Sequence, residues 1–204
     1  MLSMGQKRKQ QYVIIAILIL GFLMKFSIRY CFAITLLTER EALDSVFSGA
    51  TEVIPDTKTI NDSQLDKIKS RLGGRLTSHP KGEKAREIMN QREFVFYSGV
   101  KDGVKLGVAL ILTEPGKWGP IDFLVRLDLT GKVQDVVVLK YTEIRGRPMA
   151  RRSFLAQFIG KTSKDALTLG ENVTAISGAT ISSEAAVFAV KKAIILYEEL
   201  FLAK

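Results

Sequence analysis

Four runs of β-branched and aromatic residues, separated by glycine-containing turns, constrain the fold of this chain most. Such runs predict the strands of an antiparallel meander. Several of them are too apolar to leave one face in water, so we expect helices to cover at least one side of the sheet in an α+β fold. The predicted strands are Phe94–Tyr97, Val104–Thr113, Ile121–Leu129 and Val133–Tyr141.

The N-terminal region predicts a membrane anchor. The basic triplet Lys7-Arg8-Lys9 precedes an uninterrupted apolar run over residues 12–24, and a less pure stretch continues to residue 37. Read as one helix over about residues 12–37, it exceeds the roughly 20 residues that cross a bilayer. A cleaved signal peptide is the alternative, but no clean small-x-small cleavage site follows. We expect a single pass through the cytoplasmic (inner) membrane, with the N-terminus in the cytoplasm and the C-terminal domain outside, in the periplasm.

Two cations interrupt the second apolar stretch. Lys25 and Arg29 lie one helical turn apart on the same face. They either snorkel to the outer interface of the bilayer or meet a polar partner subunit.

The charge and the rare residues exclude several function classes. The net charge is +9, and residues 1–40 hold six Lys or Arg and one acid, against 24 and 20 in the remainder. This excess at the N-terminus is typical of a membrane-flanking segment rather than of a nucleic-acid-binding surface. One cysteine, Cys31, and one histidine, His79, exclude an internal disulfide and argue against iron–sulfur, c-type haem and metal sites. We find no general acid–base constellation, so we predict neither catalytic residues nor a metal.

A turn of small and hydroxylated residues precedes the last predicted helix. The first amides of a helix lack intrahelical acceptors and the helix dipole is positive there, so such a turn suits a phosphate. The glycine permits close approach of a ligand to the backbone, and the hydroxyls offer hydrogen bonds or a point of ester attachment. The alternative is a serine-rich cap on an ordinary amphipathic helix. The candidate residues are Ser177, Gly178, Ala179, Thr180, Ser182 and Ser183.

These residues carry a family resemblance. The segment Ala175-Ile176-Ser177-Gly178-Ala179-Thr180 resembles the Ser/Thr-Gly-Ala-Thr motif of the FMN-binding domain in the G subunit of Rnf complexes and the C subunit of sodium-translocating NADH:quinone reductase. In that family the last threonine of the motif carries FMN through a phosphoester that a flavin transferase installs. The resemblance therefore implies FMN attached to Thr180, with non-covalent FMN as the weaker form of the same expectation.

Other positions match the family less closely. The loop Gly116–Pro120 resembles the family's glycine-rich loop before the Pro-Ile strand, which implies that Trp118 and Gly119 border the flavin; the alternative for Trp118 is a hydrophobic plug under a long turn. The family's Glu-Thr-Pro-Gly-Leu-Gly stretch is matched only at Glu143 and Gly146. Thr174 occupies a position that is commonly acidic in the family. The chain thus resembles a divergent member.

The remaining segments are predicted by periodicity. Residues 41–92 read as a helical linker that starts the extracytoplasmic domain, and residues 93–204 as the FMN-binding domain, after an anchor over residues 1–40. A short helix is expected from Ser153 to Gly160, with Phe154, Leu155, Phe158 and Ile159 on its buried face. The last helix is expected from about Ser183 to Leu202.

The sequence thus predicts an electron-transfer subunit rather than a self-contained enzyme. By resemblance, its partners are the other subunits of a membrane redox complex and the flavin transferase; the anchor adds the lipid bilayer, and nucleic acid is not expected. Two alternatives stay open. One is a flavin-free structural or assembly subunit, and the other is a module that binds a non-redox anion at the helix start.

Overall fold

The computed structural model describes residues 34–142 and 150–203. Most of the expected membrane helix therefore lies outside the described residues, and its C-terminal end is corrected: Ile34–Thr35 form a short strand, not a helix. In the described part of the chain, no helix is both long and apolar enough to cross a membrane.

Secondary structure alternates irregularly along the chain. The strands are β1 (Ile34–Thr35), β2 (Glu52–Thr59), β3 (Glu93–Lys101), β4 (Val104–Pro115), β5 (Pro120–Leu127) and β6 (Val133–Tyr141). The α-helices are α1 (Glu39–Val46), α2 (Asp62–Arg71), α3 (Glu83–Met89), α4 (Arg152–Leu155) and α5 (Thr180–Tyr197). A 3₁₀ turn (Ala156–Phe158) follows α4, and a π-helical turn (Glu198–Leu202) follows α5.

All strands join one antiparallel sheet in the order β1-β6-β5-β4-β3-β2. The predicted four-strand meander is confirmed as β3 to β6. It is extended at one edge by β2, where Asp56 pairs with Phe96, and at the other by β1. Ile121 pairs with Tyr141, so the start of β5 and the end of β6 lie at the same end of the sheet.

Helices cover both faces of the sheet, which explains why the strands are apolar on both sides. Leu110 and Leu112 face one core that α5 and α2 complete, whereas their neighbour Ala109 faces the other core, under α1. Alternate residues of a strand point to opposite faces, so a doubly covered strand needs apolar residues at nearly every position. The α+β prediction is confirmed.

The sequence had suggested a mostly helical segment over residues 38–92, but the structure also contains a strand there. The helices α1, α2 and α3 do form, and Thr38 with Glu41 and Asn61 with Gln64 make capping boxes at the first two. However, residues 52–59 form β2 because they pair with β3 in the sheet. Their polar sequence did not predict a strand, since the stabilising hydrogen bonds come from tertiary pairing.

Two helix predictions need smaller corrections. Phe154, Leu155 and Phe158 are buried as expected, but Ile159 is 41% exposed because the chain leaves the helix at that residue in extended conformation. The last helix begins at Thr180, not Ser183, so the expected turn contributes its own residues to the first helical turn.

Candidate functional site

The motif forms a tight turn that leads directly into α5. The Ala179 amide donates to the Ile176 carbonyl at 3.0 Å, and Gly178 has a φ of 77°, which favours glycine. Ala179 is the N-cap, and its side chain cannot accept a hydrogen bond. The first intrahelical bond runs from the Ser183 amide to the Ala179 carbonyl at 2.9 Å. The amides of Thr180, Ile181 and Ser182 thus have no intrahelical acceptor.

The hydroxyls of the turn divide into an outer and an inner pair. Ser177 and Thr180 are exposed, whereas Ser182 and Ser183 are at most 1% exposed. Ser183 Oγ donates to the Ala179 carbonyl at 3.0 Å and accepts from the Ile176 amide at 3.4 Å, so it holds the turn closed. Ser182 Oγ is buried without a hydrogen-bond partner among the described residues.

Trp118 and Gly119 form a second group at the sheet end made by β5 and β6. The Gly116 amide donates to the Gly119 carbonyl at 2.8 Å, which closes the loop. A Cβ on Gly119 would lie 2.6 Å from the Thr142 Cβ, so only glycine fits there. Trp118 is 47% exposed, with the Lys117 ammonium 5.3 Å from its ring centroid, and this exposure does not fit the hydrophobic-plug alternative.

The structure does not bring all of the predicted site residues into contact with one another. Within residues 34–142 and 150–203, no hydrogen bond or ring contact joins the Trp118 loop to the turn at residues 177–183. Glu143 and Gly146 lie outside the described residues. Thr142, the last described residue before them, packs on Gly119.

A shallow cleft adjoins the N-terminal side of the turn. Its volume is about 350 Å³, and its walls include Arg151, Gln157 and residues 174–176. The Thr174 amide donates to Gln157 Oε1 at 2.8 Å, so this segment is held against the 3₁₀ turn that follows α4. Thr174 itself is exposed.

Sequence reasoning missed a buried ion pair behind the site. Lys192 of α5 is paired with Glu114 at the end of β4, and both residues are fully buried. Glu114 Oε2 also accepts from the Ser78 amide at 2.8 Å and from Thr77 Oγ1 at 3.2 Å. The sequence contains only a weak indication of this pair, namely a lysine within an apolar helix and an acidic residue near the end of an apolar strand. A pair so enclosed fixes the loop after α2, β4 and α5 to one another.

The fold and the turn before α5 together define a class of protein. It is an α+β domain whose helix-covered antiparallel sheet presents an exposed threonine and free amides at a helix start, an arrangement suited to a phosphate group.

A family model matches part of the chain. Residues 116–195 match the family model described as the FMN-binding domain. That range contains the Trp118 loop and the turn at residues 177–183. The match confirms, for these residues, the resemblance to the FMN-binding domain that was predicted from the sequence, and it supports FMN as the cofactor.

No curated protein shows significant similarity to the chain. Among solved structures, the crystal structure of NqrC from Shewanella oneidensis is similar, with 17% sequence identity and a TM-score of 0.46. The alignment covers 78% of this chain and 84% of that chain.

Proposed function

We propose that the chain is a membrane-anchored flavoprotein subunit that carries FMN on Thr180 and relays electrons within a redox complex. The observation that carries the proposal is the exposed Thr180 hydroxyl at the first position of α5, within the matched FMN-binding domain. An attachment residue must be accessible to a flavin transferase, whereas the buried Ser182 and Ser183 are not.

The first turn of α5 fits a phosphodiester. Attachment forms a P–O bond between Thr180 Oγ1 and the flavin phosphate and breaks the P–O bond that joins this phosphate to the leaving group of an activated FMN donor. The hydroxyl proton leaves with that group, so the chain gains FMN less one water. The remaining phosphate charge then faces the free amides of Thr180, Ile181 and Ser182, where the helix dipole favours an anion. No atom within 4 Å would meet a side chain at Gly178, so the turn leaves open space beside the backbone.

Trp118, Gly119, Glu143 and Gly146 are proposed to lie against the flavin. The half-exposed indole of Trp118 offers a flat apolar surface that would shield a ring from water. When bound, FMN supplies one-electron and two-electron redox chemistry, while the chain positions it and sets its electrostatic surroundings.

The anchor and the partners belong to the same proposal. The uninterrupted apolar run over residues 12–24, with its basic flank, supports attachment to the cytoplasmic membrane with the described domain outside. A flavin transferase is required for attachment, and the other subunits of the complex are the electron donor and acceptor.

Mass spectrometry of the chain from its native host tests the attachment. We expect a gain of FMN less water on the peptide that contains Thr180. Thr180→Ala should remove this gain, and Thr180→Ser should retain part of it because a hydroxyl remains. Ser177→Ala is the matched control, since it removes the other exposed hydroxyl of the turn. A flavin adduct that persists in Thr180→Ala would refute the assignment.

A flavin-free structural subunit is the second candidate. It is favoured by Thr174, which replaces the acid common in the family and is engaged by Gln157 through both its amide and its carbonyl. An unmodified mass with extractable FMN would mean that the covalent bond alone is lost. A colourless chain that still assembles with its partners would establish the structural role.

A further inference from the structure

A second cleft lies beside the N-terminal half of α5. It has a volume of about 420 Å³ and is bounded by the loop after α2, by residues 167–169 and by α5 from Glu184 to Lys191. This volume is within the range of small-molecule sites. None of residues 177–183 lines it, so it is separate from the proposed attachment site.

The base of the cleft is apolar and firmly held. Leu72, Leu167, Val187 and Phe188 line it, and each is less than 8% exposed. The loop that forms one wall is fixed to the core, because the amide of Ser78 donates to the buried Glu114 carboxylate. A ligand would therefore meet a preformed surface rather than one that must be ordered on binding.

The rim of the cleft is cationic. Arg75 and Lys191 line it, and in the described part of the chain neither has an acidic ion-pair partner. The Arg75 guanidinium lies 5.6 Å from the Phe188 ring centroid, over the apolar base. Glu184 is the one acid among the lining residues, and its carboxylate lies 3.2 Å from His79 Nε2.

We infer that this cleft binds a phosphate group attached to a small apolar body. Arg75 and Lys191 receive the phosphate, for which a guanidinium offers paired donors and an ammonium a point charge. The apolar body rests on Val187 and Phe188. The phosphate belongs either to a soluble ester or to an anionic lipid headgroup, and the chemistry at the rim is the same for both. The inference does not depend on flavin attachment at Thr180.

Calorimetric titration of the full purified chain tests the cleft. We expect phenyl phosphate to bind more tightly than inorganic phosphate, because only the former has an apolar body. In a second arm, a short-chain phosphatidylglycerol below its micelle concentration is compared with the matching phosphatidylcholine, because the proposed anchor would insert into vesicles of either charge. Saturation by phenyl phosphate identifies a soluble ester, whereas binding of the phosphatidylglycerol alone identifies a lipid headgroup.

Variants decide whether the binding occurs in this cleft. The double variant Arg75→Gln/Lys191→Gln should weaken binding by about tenfold or more, since two charge-assisted contacts are lost. Lys67→Gln on α2 changes one exposed charge away from the cleft and should leave binding unchanged. Glu184→Gln should strengthen binding because a competing carboxylate is removed. The inference is overturned if neither probe binds, or if the double variant binds as the wild type does. Flavin content, measured by mass, is unaffected in either case.

Discussion

At the scale of single residues, backbone conformation and hydroxyl burial shape the flavin turn. Gly178 has a positive φ and open space around it, so glycine is required there by the backbone conformation and not by close packing. Gly119 is the opposite case, because a Cβ at this position would lie 2.6 Å from the Thr142 Cβ. Both glycines are recognisable in the sequence, but the sequence does not say which of the two reasons applies.

Gly178→Ala should reduce the free energy of unfolding by about 1 kcal/mol, the cost of a left-handed conformation for alanine. Gly73→Ala is a matched control, because Gly73 has a φ of 75° and open space, just after the end of α2. Chemical denaturation should give similar losses for both variants, whereas flavin content should fall only in Gly178→Ala. Equal flavin content in the two variants would show that the turn tolerates the change.

The Lys192–Glu114 pair predicts strong coupling between two residues. Lys192→Met leaves a buried carboxylate without its cation and should cost about 3–5 kcal/mol of stability. Glu114→Gln leaves the ammonium unpaired and should also destabilise the fold. The double variant should lose less than the sum of the two single losses, because neither charge remains.

A double-mutant cycle by urea denaturation measures this coupling. Lys191→Met is the control, since Lys191 is only partly buried and has no acidic partner in the described part of the chain; it should change stability by less than about 0.5 kcal/mol. Strictly additive losses would mean that the pair contributes nothing beyond its separate side chains.

At the scale of elements, the chain closes its hairpins and helices with local polar contacts. The β5–β6 turn is organised by Asp128, whose Oδ1 accepts from the Thr130 amide at 2.9 Å, from Thr130 Oγ1 at 2.6 Å and from the Lys132 amide at 3.0 Å. Gln134 Nε2 donates to Oδ2 at 3.0 Å. Partial burial acts to raise the pKa of Asp128, but these hydrogen bonds outweigh it and hold the pKa below 3.8.

This lowered pKa gives the stability a defined acid dependence. The stabilisation is present above the ordinary pKa of 3.8 and is lost as the pH falls through the lower folded-state pKa. Asp128→Asn should therefore flatten the decline of stability below about pH 4, measured by urea denaturation at each pH. Asp66→Asn, which removes an exposed carboxylate on α2, is the control for charge. If the free energy of unfolding of Asp128→Asn declined with falling pH as steeply as that of the wild type, the proposed role of Asp128 would be contradicted.

At the scale of the whole molecule, the proposed anchor and the described domain imply a definite topology. Lys101 is exposed at the end of β3. Lys101→Cys in a Cys31→Ser background should react with a membrane-impermeant maleimide in intact cells or spheroplasts, because the domain is proposed to lie outside the cytoplasmic membrane. Ser3→Cys in the same background should react only after lysis. Labelling of both positions only after lysis would refute the proposed topology.

Sequence patterns were sufficient for the local features of the chain. The four strands β3 to β6 could be predicted because β-branched runs and glycine turns act over a few residues. The turn at residues 177–183 could be predicted for the same reason, since a small-residue turn before an apolar helix defines its own backbone and leaves its own amides free. The range of the family match, residues 116–195, includes β5, β6 and this turn.

Tertiary structure decided the rest, because those features depend on residues far apart in the chain. The polar segment 52–59 becomes a strand only through its ladder with β3. Lys192 and Glu114 are 78 positions apart, and the sequence around neither residue predicts that the two will be buried as a pair. The cationic cleft likewise needs the loop after α2 to pack against α5. Local sequence sets turns and strands, whereas burial and the meeting of charges are set by which surfaces the folded chain brings into contact.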